Sequence, residues 1–223
     1  VLMSKIQHDT HLEGLVIPEN ARSLGLLVKS NISSETVALA ARLRDDNGRF
    51  FTYELGTLDS GDWNLKEVQL FGGRRPWRQL YPAKPLSLMS ISVLETSSTG
   101  SLSAGTLLID SIQFRSSQYG EMQTLETFGD IESWHLLRNV PDADKDRMEL
   151  SMVSSNGDGS LLFAWGSGNA MVGRGIYSAA LSKPLPALAS QSFLDQFGHS
   201  LKDEVVISVG GPRLTVFLAD PLY

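Results

Sequence analysis

The chain has no cysteine among its 223 residues. This absence excludes disulfide bonds, thiolate metal sites and a cysteine nucleophile. Long apolar runs are also missing: no stretch approaches the roughly 20 residues that span a bilayer, and the start VLMSKIQHDTH lacks the pattern of a signal peptide. We therefore expect the chain to be soluble as given, as a whole protein or as a piece of a longer one.

An excess of basic residues is missing too. Nineteen Lys and Arg stand against 25 Asp and Glu, so the formal net charge is −6. A protein that binds nucleic acid needs a basic surface to neutralise phosphates. Nucleic acid is therefore not an expected partner.

No catalytic set stands out from the rest of the sequence. A G-x-S-x-G nucleophile elbow is absent, and no order of residues ties a serine to one of the four histidines, His8, His11, His135 and His199. Carboxylates are too many to single out a glycosidase pair. We expect a protein that is not an enzyme, without a cofactor or a resident metal.

What the chain does have is the composition of a β protein. Twenty glycines, nine prolines and many Ser/Thr clusters separate short apolar runs, which is typical of strands joined by turns. Alternating apolar residues predict strands at Ala21–Ser30, Thr36–Leu43, Arg49–Leu55 and Leu86–Leu94, and the turn between the second and third is Asp45-Asp46-Asn47-Gly48.

The stretch Thr106–Phe114 is apolar on both faces. Strict alternation predicts that Leu108, Asp110, Ile112 and Phe114 share one face, and that Leu107, Ile109 and Ser111 share the other. Doubly apolar strands are typical of the interior of a two-sheet sandwich. Trp63, Trp134 and Trp165 lie beside strands and are predicted core residues.

The segment from about Leu12 to Arg115 resembles the jelly-roll β-sandwich of galactose-binding-like and carbohydrate-binding modules. The resemblance implies a fold more than a function, since this architecture hosts many roles. It is carried by Asp45, Gly48, Trp63, Leu86, Ile91, Val93, Gly105, Leu107, Ile109, Asp110 and Ile112.

A polar stretch, Arg115–Gly120, predicts a domain boundary. We expect a jelly-roll β-sandwich over residues 1–117 and a second small β-rich domain over residues 118–223. Phe128 and Trp134 look like the opening of another jelly-roll unit.

The end of the chain, Lys183–Tyr223, predicts a helix followed by a β-hairpin. Ser190–Phe197 can form a short helix that Gly198 ends. Two alternating strands, Glu204–Val209 and Arg213–Leu218, follow around a Gly-Gly turn.

This order resembles the end of the extracytoplasmic domain of FtsX-like (MacB-like) ABC transporter permeases. In that family, the segment leads into a transmembrane helix. The matching residues are Leu185, Pro186, Ala187, Ser190, Phe193, Leu194, Gly198, Asp203, Val205, Ile207, Val209, Gly211, Val216, Leu218, Pro221 and Leu222.

Two motifs suggest metal or nucleotide sites, but each has a plainer interpretation. The alternating carboxylates Asp142, Asp144 and Asp146 lack the Gly and Glu that an EF-hand requires, so we expect a solvated acidic loop. The glycine-rich stretch Gly166–Gly175 lacks the spacing and the helix of a dinucleotide loop, so we expect a flexible loop. Asp110 is a candidate calcium ligand, although a cap on nearby backbone is favoured.

The best candidate for ligand contact is the loop between the predicted strands Leu65–Leu70 and Leu86–Leu94. There, aromatic rings could stack on a sugar while guanidinium groups donate hydrogen bonds. The alternative is that Trp77 covers the edge of the sandwich and the arginines stay solvated. The candidate ligand-binding residues are Arg74, Arg75, Trp77, Arg78 and Tyr81.

Two functions of different classes follow. The permease resemblance implies a non-catalytic domain at the extracytoplasmic face of a bacterial plasma membrane. Its partners would be membrane helices of the same polypeptide, a cytoplasmic ATPase subunit that hydrolyses ATP, and an extracytoplasmic protein, lipid or glycan. The alternative is a carbohydrate-binding β-sandwich module that uses the predicted loop or one sheet face.

Overall fold

The computed structural model describes residues 14–71, 81–96, 101–137, 145–169, 174–178, 185–188, 190–198, 200, 203–208 and 213–219. These residues form strands and one short helix. Their bounds are β1 (Leu15–Ile17), β2 (Ser23–Ser30), β3 (Ser34–Asp45), β4 (Phe50–Leu58), β5 (Asn64–Gln69), β6 (Leu86–Glu95), β7 (Ser101–Leu102), β8 (Gly105–Arg115), β9 (Gln123–Thr127), β10 (Trp134–Leu136), β11 (Arg147–Ser151), β12 (Ser160–Trp165), β13 (Gly168–Asn169), β14 (Arg174–Ser178), β15 (Leu185–Leu188), α1 (Gln191–Phe197), β16 (Glu204–Ser208) and β17 (Arg213–Ala219).

Two antiparallel sheets make a β-sandwich. Sheet 1 has the order β10-β14-β6-β3-β4, with β1 also paired to β6, and sheet 2 has the order β11-β12-β8-β2-β5, with β9 also paired to β8. Apolar residues that alternate along both sheets meet in one core. The predicted fold class is confirmed: the protein is mainly β, with a sandwich and a final short helix.

The strict alternation of faces predicted for Thr106–Phe114 is interrupted at Asp110. Leu27 pairs with Ser111 while Val28 pairs with Ile109, so Asp110 is an extra residue, a β-bulge that strict alternation does not foresee. The core therefore takes Leu107 and Ile109 before the bulge and Ile112 and Phe114 after it.

The predicted tryptophan positions are mostly confirmed. Trp134 and Trp165 are buried in the core, and the Trp134 ring packs 5.5 Å from the ring of Phe128. Trp63, the residue before β5, is only half-buried.

The sandwich extends past the boundary expected between residues 117 and 118. The described residues of Glu13–Ala179 form one compact unit, and those of Ala180–Tyr223 belong to another. The reason is hydrogen bonding: β9 and β12 pair with β8 in sheet 2, and β14 pairs with β6 in sheet 1. These later strands complete the two sheets instead of starting a second sandwich.

The second unit contains the predicted helix and two strands. Ser190 caps α1 by accepting the Phe193 amide at 3.2 Å, and Gly198 ends the helix in a left-handed conformation, φ 66°. β16 and β17 pair antiparallel. The structure adds β15, which pairs parallel to β17 and completes a three-stranded sheet. The predicted Gly210-Gly211 turn lies outside the described residues.

Candidate functional site

The predicted ligand loop joins the sandwich at one end, which we call the loop end. It consists of the β1–β2 turn, the β3–β4 turn around Asp45–Arg49, and the residues on either side of the loop, Phe71 and Tyr81–Pro85. Arg74, Arg75, Trp77 and Arg78 lie outside the described residues, so their role stays a prediction. Tyr81 is described, and 63% of its surface is exposed.

An ion pair in the β3–β4 turn organises the loop end. The Arg49 side chain donates from Nε and Nη2 to Asp45 Oδ2, at 2.8 and 2.6 Å, and the Arg49 amide donates to Oδ1 at 2.8 Å. The same two side chains reach across to the residues that follow the loop. Asp45 Oδ2 accepts the Ala83 amide at 3.0 Å, and Arg49 Nη2 donates to the Tyr81 carbonyl at 3.1 Å. The turn thereby holds the segment Tyr81–Ala83 in place just before the chain enters sheet 1 as β6.

The environment of Asp45 favours its charged form. Burial alone raises the pKa of the Asp45 carboxyl, but hydrogen bonds from Arg49 and from the Ala83 and Arg49 amides, together with the Arg49 charge, outweigh burial. The pKa therefore lies below its ordinary value of 3.8. The carboxylate stays ionised at neutral pH, which keeps both links in place.

A second ion pair lies at the same end on sheet 2. Arg115 donates from Nε and Nη2 to the two oxygens of Glu67, each at 3.1 Å, and the Ser23 hydroxyl donates to Glu67 as well. Burial raises the pKa of the Glu67 carboxyl, while the Ser23 and Arg115 hydrogen bonds and the Arg115 charge lower it more, so the net direction is down.

Cations and aromatic rings also meet at the loop end. The guanidinium carbons of Arg42 and Arg49 lie 4.6 and 5.7 Å from the ring centres of Phe50 and Phe51, and Lys84 Nζ lies 4.5 Å from that of Phe71. Such pairs hold a cation over a ring. Arg49 and Lys84 also donate hydrogen bonds to Asp45 and to the Glu19 carbonyl, whereas Arg42 is the one of the three with no such bond to a described residue, so its N–H groups can donate to a ligand. The Phe50 ring is itself half exposed, at 51%. This arrangement can stack on a flat apolar group and donate hydrogen bonds beside it.

The opposite end of the sandwich, which we call the far end, contains a buried ion pair. It lies where β12 ends at Trp165 and β14 begins at Arg174. Arg174 donates from Nε to Asp146 Oδ2 at 2.8 Å and from Nη2 to Oδ1, and neither side chain has any exposed surface. The Gly166 amide lies 3.4 Å from Asp146 Oδ1.

This ion pair shows that the expectation of a solvated acidic loop is wrong for one of its three carboxylates. Asp142 and Asp144 lie outside the described residues, but Asp146 is buried against Arg174. Within the described part of the chain, no group of three or more His, Asp or Glu side chains could hold a metal ion.

The glycine-rich stretch likewise differs from the expected flexible loop where it is described. It includes β13 and the first two residues of β14. At Gly175, a Cβ atom would lie 2.0 Å from the Ile91 carbonyl oxygen, so this glycine permits the close approach of β14 to β6. Residues 170–173 lie outside the described part.

The remaining candidates have simple surroundings. Asp110 is buried and accepts the Ser155 amide at 2.7 Å, so it caps backbone of a distant segment and not the nearby backbone that was expected. His135 is exposed, with its ring 5.3 Å from that of Tyr177. His8, His11 and His199 lie outside the described residues.

The sequence interpretation missed Arg174, Asp45 as an anchor, and Phe50. Arg174 had one available signal, its position between two glycines, Gly173 and Gly175. Arg42 and Phe50 had none, because their contact depends on the register between β3 and β4.

Comparisons with protein-family models, with curated proteins and with solved structures find no match for this chain. Within the residues that the structure describes, there is no helix whose length and hydropathy suit a bilayer span.

Proposed function

We propose that this chain is the extracytoplasmic domain of an FtsX-like (MacB-like) ABC transporter permease. The observation that supports it most is the second unit. Its helix, its two caps and its two antiparallel strands fall where the resemblance to that family expects them. β15 begins at Leu185, the first residue of that resemblance.

In this role the domain is not catalytic. ATP is hydrolysed by a separate cytoplasmic subunit, and membrane helices of the same polypeptide connect the two sides. The domain couples that cycle to a substrate or an envelope partner at the extracytoplasmic face of a bacterial plasma membrane.

The test uses the absence of cysteine in this segment. In the full-length gene product, with cysteines elsewhere replaced, Gln118→Cys places one thiol at an exposed turn. The proposal expects a membrane-impermeant maleimide to label it in intact cells with a permeable outer envelope. Ala41→Cys, buried in the core, is the matched control and should stay unlabelled in the folded protein.

Two outcomes would contradict the permease proposal. One is labelling of Gln118→Cys only after the plasma membrane is broken, which would place the domain inside the cell. The other is the absence of apolar spans of about 19 residues on both sides of the segment in the full-length gene product.

A second candidate function is a carbohydrate-binding module. It is favoured by the loop end, where Tyr81 and Phe50 are exposed and Arg42 stacks on Phe50. In that case, the gene product would carry a neighbouring glycosidase domain, and binding of glycans would depend on these exposed rings. Trp77→Ala should then weaken glycan binding and leave thermal stability nearly intact. A loss of stability would show instead that Trp77 is part of the core.

A further inference from the structure

The outer face of sheet 1 carries polar and aromatic residues in one continuous row. His135 on β10 pairs with Tyr177 on β14, Tyr177 with Ser90 on β6, Ser90 with Arg42 on β3, and Arg42 with Thr52 on β4. Residues that pair directly across a sheet share one face. Four strand spacings of about 4.8 Å give the row a length of about 19 Å. We call these five residues the outer row.

The row faces away from the core because its chain neighbours face into it. Trp134, Ile176, Ile91, Ala41 and Tyr53 precede or follow row members along their strands, and all five are buried core residues. Side chains alternate between the two faces of a sheet. The outer row is therefore built into sheet 1 and does not depend on a loop.

Both ends of the row are exposed, and an aromatic ring lies at or beside each. At one end, His135 is exposed and its ring lies 5.3 Å from the half-buried ring of Tyr177. At the other end, Thr52 and its neighbour Arg42 are exposed, and Arg42 stacks over Phe50, which lies beside the row on β4, two residues before Thr52. Ser90, the small residue between them, is nearly buried.

The charge of Arg42 is available to a ligand. Within the described part of the chain, no carboxylate lies within ion-pairing distance of this residue. Glu54 lies on the other side of the row from the loop end, paired with Ala40. An anionic group would therefore be attracted to the part of the row where Arg42 lies.

We propose that the outer row binds an oligosaccharide that carries a carboxylate. Arg42 pairs with the carboxylate, the hydroxyls of Tyr177 and Thr52 and the His135 ring exchange hydrogen bonds with sugar hydroxyls, and Phe50 packs against an apolar sugar face. The inference rests on the second candidate function and names its location and ligand class.

A glycan suits the row better than a nucleic acid does. Nucleic acid carries about one charge per 1.7 Å of duplex, and a chain with a formal net charge of −6 has no excess of basic groups to neutralise so many phosphates. Hydroxyl, imidazole and aromatic groups dominate the row, and its one guanidinium group, that of Arg42, lies toward one end. That composition fits a mostly neutral chain with an occasional carboxylate.

The experiment measures binding of the full 223-residue chain to a panel of defined oligosaccharides, half of them with uronic or other carboxylated sugars. A single-stranded oligonucleotide and poly-glutamate are included. We expect carboxylated oligosaccharides to bind best. Arg42→Gln should weaken that binding about 10-fold or more, because a charge-assisted hydrogen bond is lost. Phe50→Ala should weaken it about 5-fold.

Matched controls separate the row from the rest of the surface. Arg22→Gln removes an exposed arginine outside the row, and Tyr119→Ala removes a ring that is 91% exposed on a turn. Both should bind like the unchanged chain. All variants alter exposed side chains, and thermal unfolding should confirm that each is folded.

The outcomes that overturn the proposal are distinct. If Arg42→Gln and Phe50→Ala bind normally while Tyr81→Ala does not, the glycan site lies at the loop end and only the outer-row proposal fails. Tighter binding of the oligonucleotide or of poly-glutamate overturns the ligand class. If no oligosaccharide binds, both the outer row and the carbohydrate-binding function fail. The permease proposal is then decided separately by the labelling of Gln118→Cys.

Discussion

Each end of the sandwich contains an Asp–Arg ion pair, and the two pairs have different structural roles. At the loop end, Asp45 and Arg49 are four residues apart, and the Arg49 side chain keeps 34% of its surface exposed. At the far end, Asp146 and Arg174 are 28 residues apart and have no exposed surface. The first pair closes a turn and ties down neighbouring backbone. In the Asp146–Arg174 pair, each charge neutralises the other, which allows both side chains to be buried.

The difference shows how burial changes the value of an ion pair. A buried pair recovers only part of the cost of removing two charges from water, so it is expensive to break but adds little over apolar residues of similar size. A partly exposed pair contributes mainly through the backbone groups that it orders. Local stability should therefore respond very differently to mutation at the two ends.

The largest effect is expected at the far end. Asp146→Ala removes the carboxylate that pairs with the buried Arg174 guanidinium, and we expect a loss of about 3–5 kcal/mol in the free energy of unfolding. Urea denaturation of the purified chain measures it. The double variant Asp146→Leu with Arg174→Met is the control, and it should recover most of the loss because no charge then remains buried.

If the double variant is as unstable as Asp146→Ala, the pair would do more than neutralise charge. If Asp146→Ala costs less than about 1 kcal/mol, which is typical of exposed pairs, the burial of the pair would be contradicted.

A glycine at each end gives the second test. Gly175→Ala places a Cβ 2.0 Å from the Ile91 carbonyl oxygen, so β14 has to move away from β6, at a cost of about 3 kcal/mol. Gly48→Ala, at φ 76° in the β3–β4 turn, meets no atom closer than 3.7 Å and should cost about 1 kcal/mol from backbone strain alone. Thermal unfolding compares the two, and equal losses would contradict the close approach of β14.

The third test concerns pH at the loop end. Asp45→Asn keeps the shape but removes the charge, and we expect a loss of about 1–2 kcal/mol at pH 7. Because the pKa of Asp45 is lower in the folded chain than its ordinary value of 3.8, its contribution is present above that value and is lost as pH falls through the folded pKa.

The variant should therefore approach the stability of the unchanged chain as pH falls below about 4, the ordinary range of an aspartate pKa. Denaturation curves at pH 7, 5 and 3 provide the comparison. A gap that stays constant across this range would show that the Asp45 charge is not the stabilising feature.

The smallest effects are expected on the exposed rings of the loop end. Tyr81→Ala and Phe50→Ala remove side chains that are more than half exposed, so each should change stability by less than about 0.5 kcal/mol. Phe71→Ala, at a half-buried ring packed against the core, is the contrasting variant and should cost more. A large loss in Tyr81→Ala would assign that ring to packing and not to ligand contact.

Local features were predictable because their causes lie within a few residues. The β3–β4 turn follows from Asp45-Asp46-Asn47-Gly48, and the ends of α1 follow from Ser190 and Gly198, whose caps are formed by groups of the same segment. Strand alternation likewise located the core residues of β3, such as Leu39 and Leu43.

The candidate sites were predictable only in part. The loop flanked by Phe71 and Tyr81 was identified from its composition, and Tyr81 proved to be exposed. The outer row could not be predicted, because its members come from β10, β14, β6, β3 and β4, which lie far apart in sequence. No local sequence pattern specifies the strand register that pairs Arg42 with Ser90.

The sequence by itself determined that this chain is a β-sandwich followed by a short helix and two strands, because alternation, turns and caps are local properties. Only the tertiary structure decided which strands share a sheet, that β9 to β12 and β14 belong to the sandwich, and that Asp110 is a bulge. It also decided that Asp146 meets Arg174. Those outcomes depend on hydrogen bonds and packing between distant segments, where burial of each group is decided by its neighbours in space and not by its neighbours along the chain.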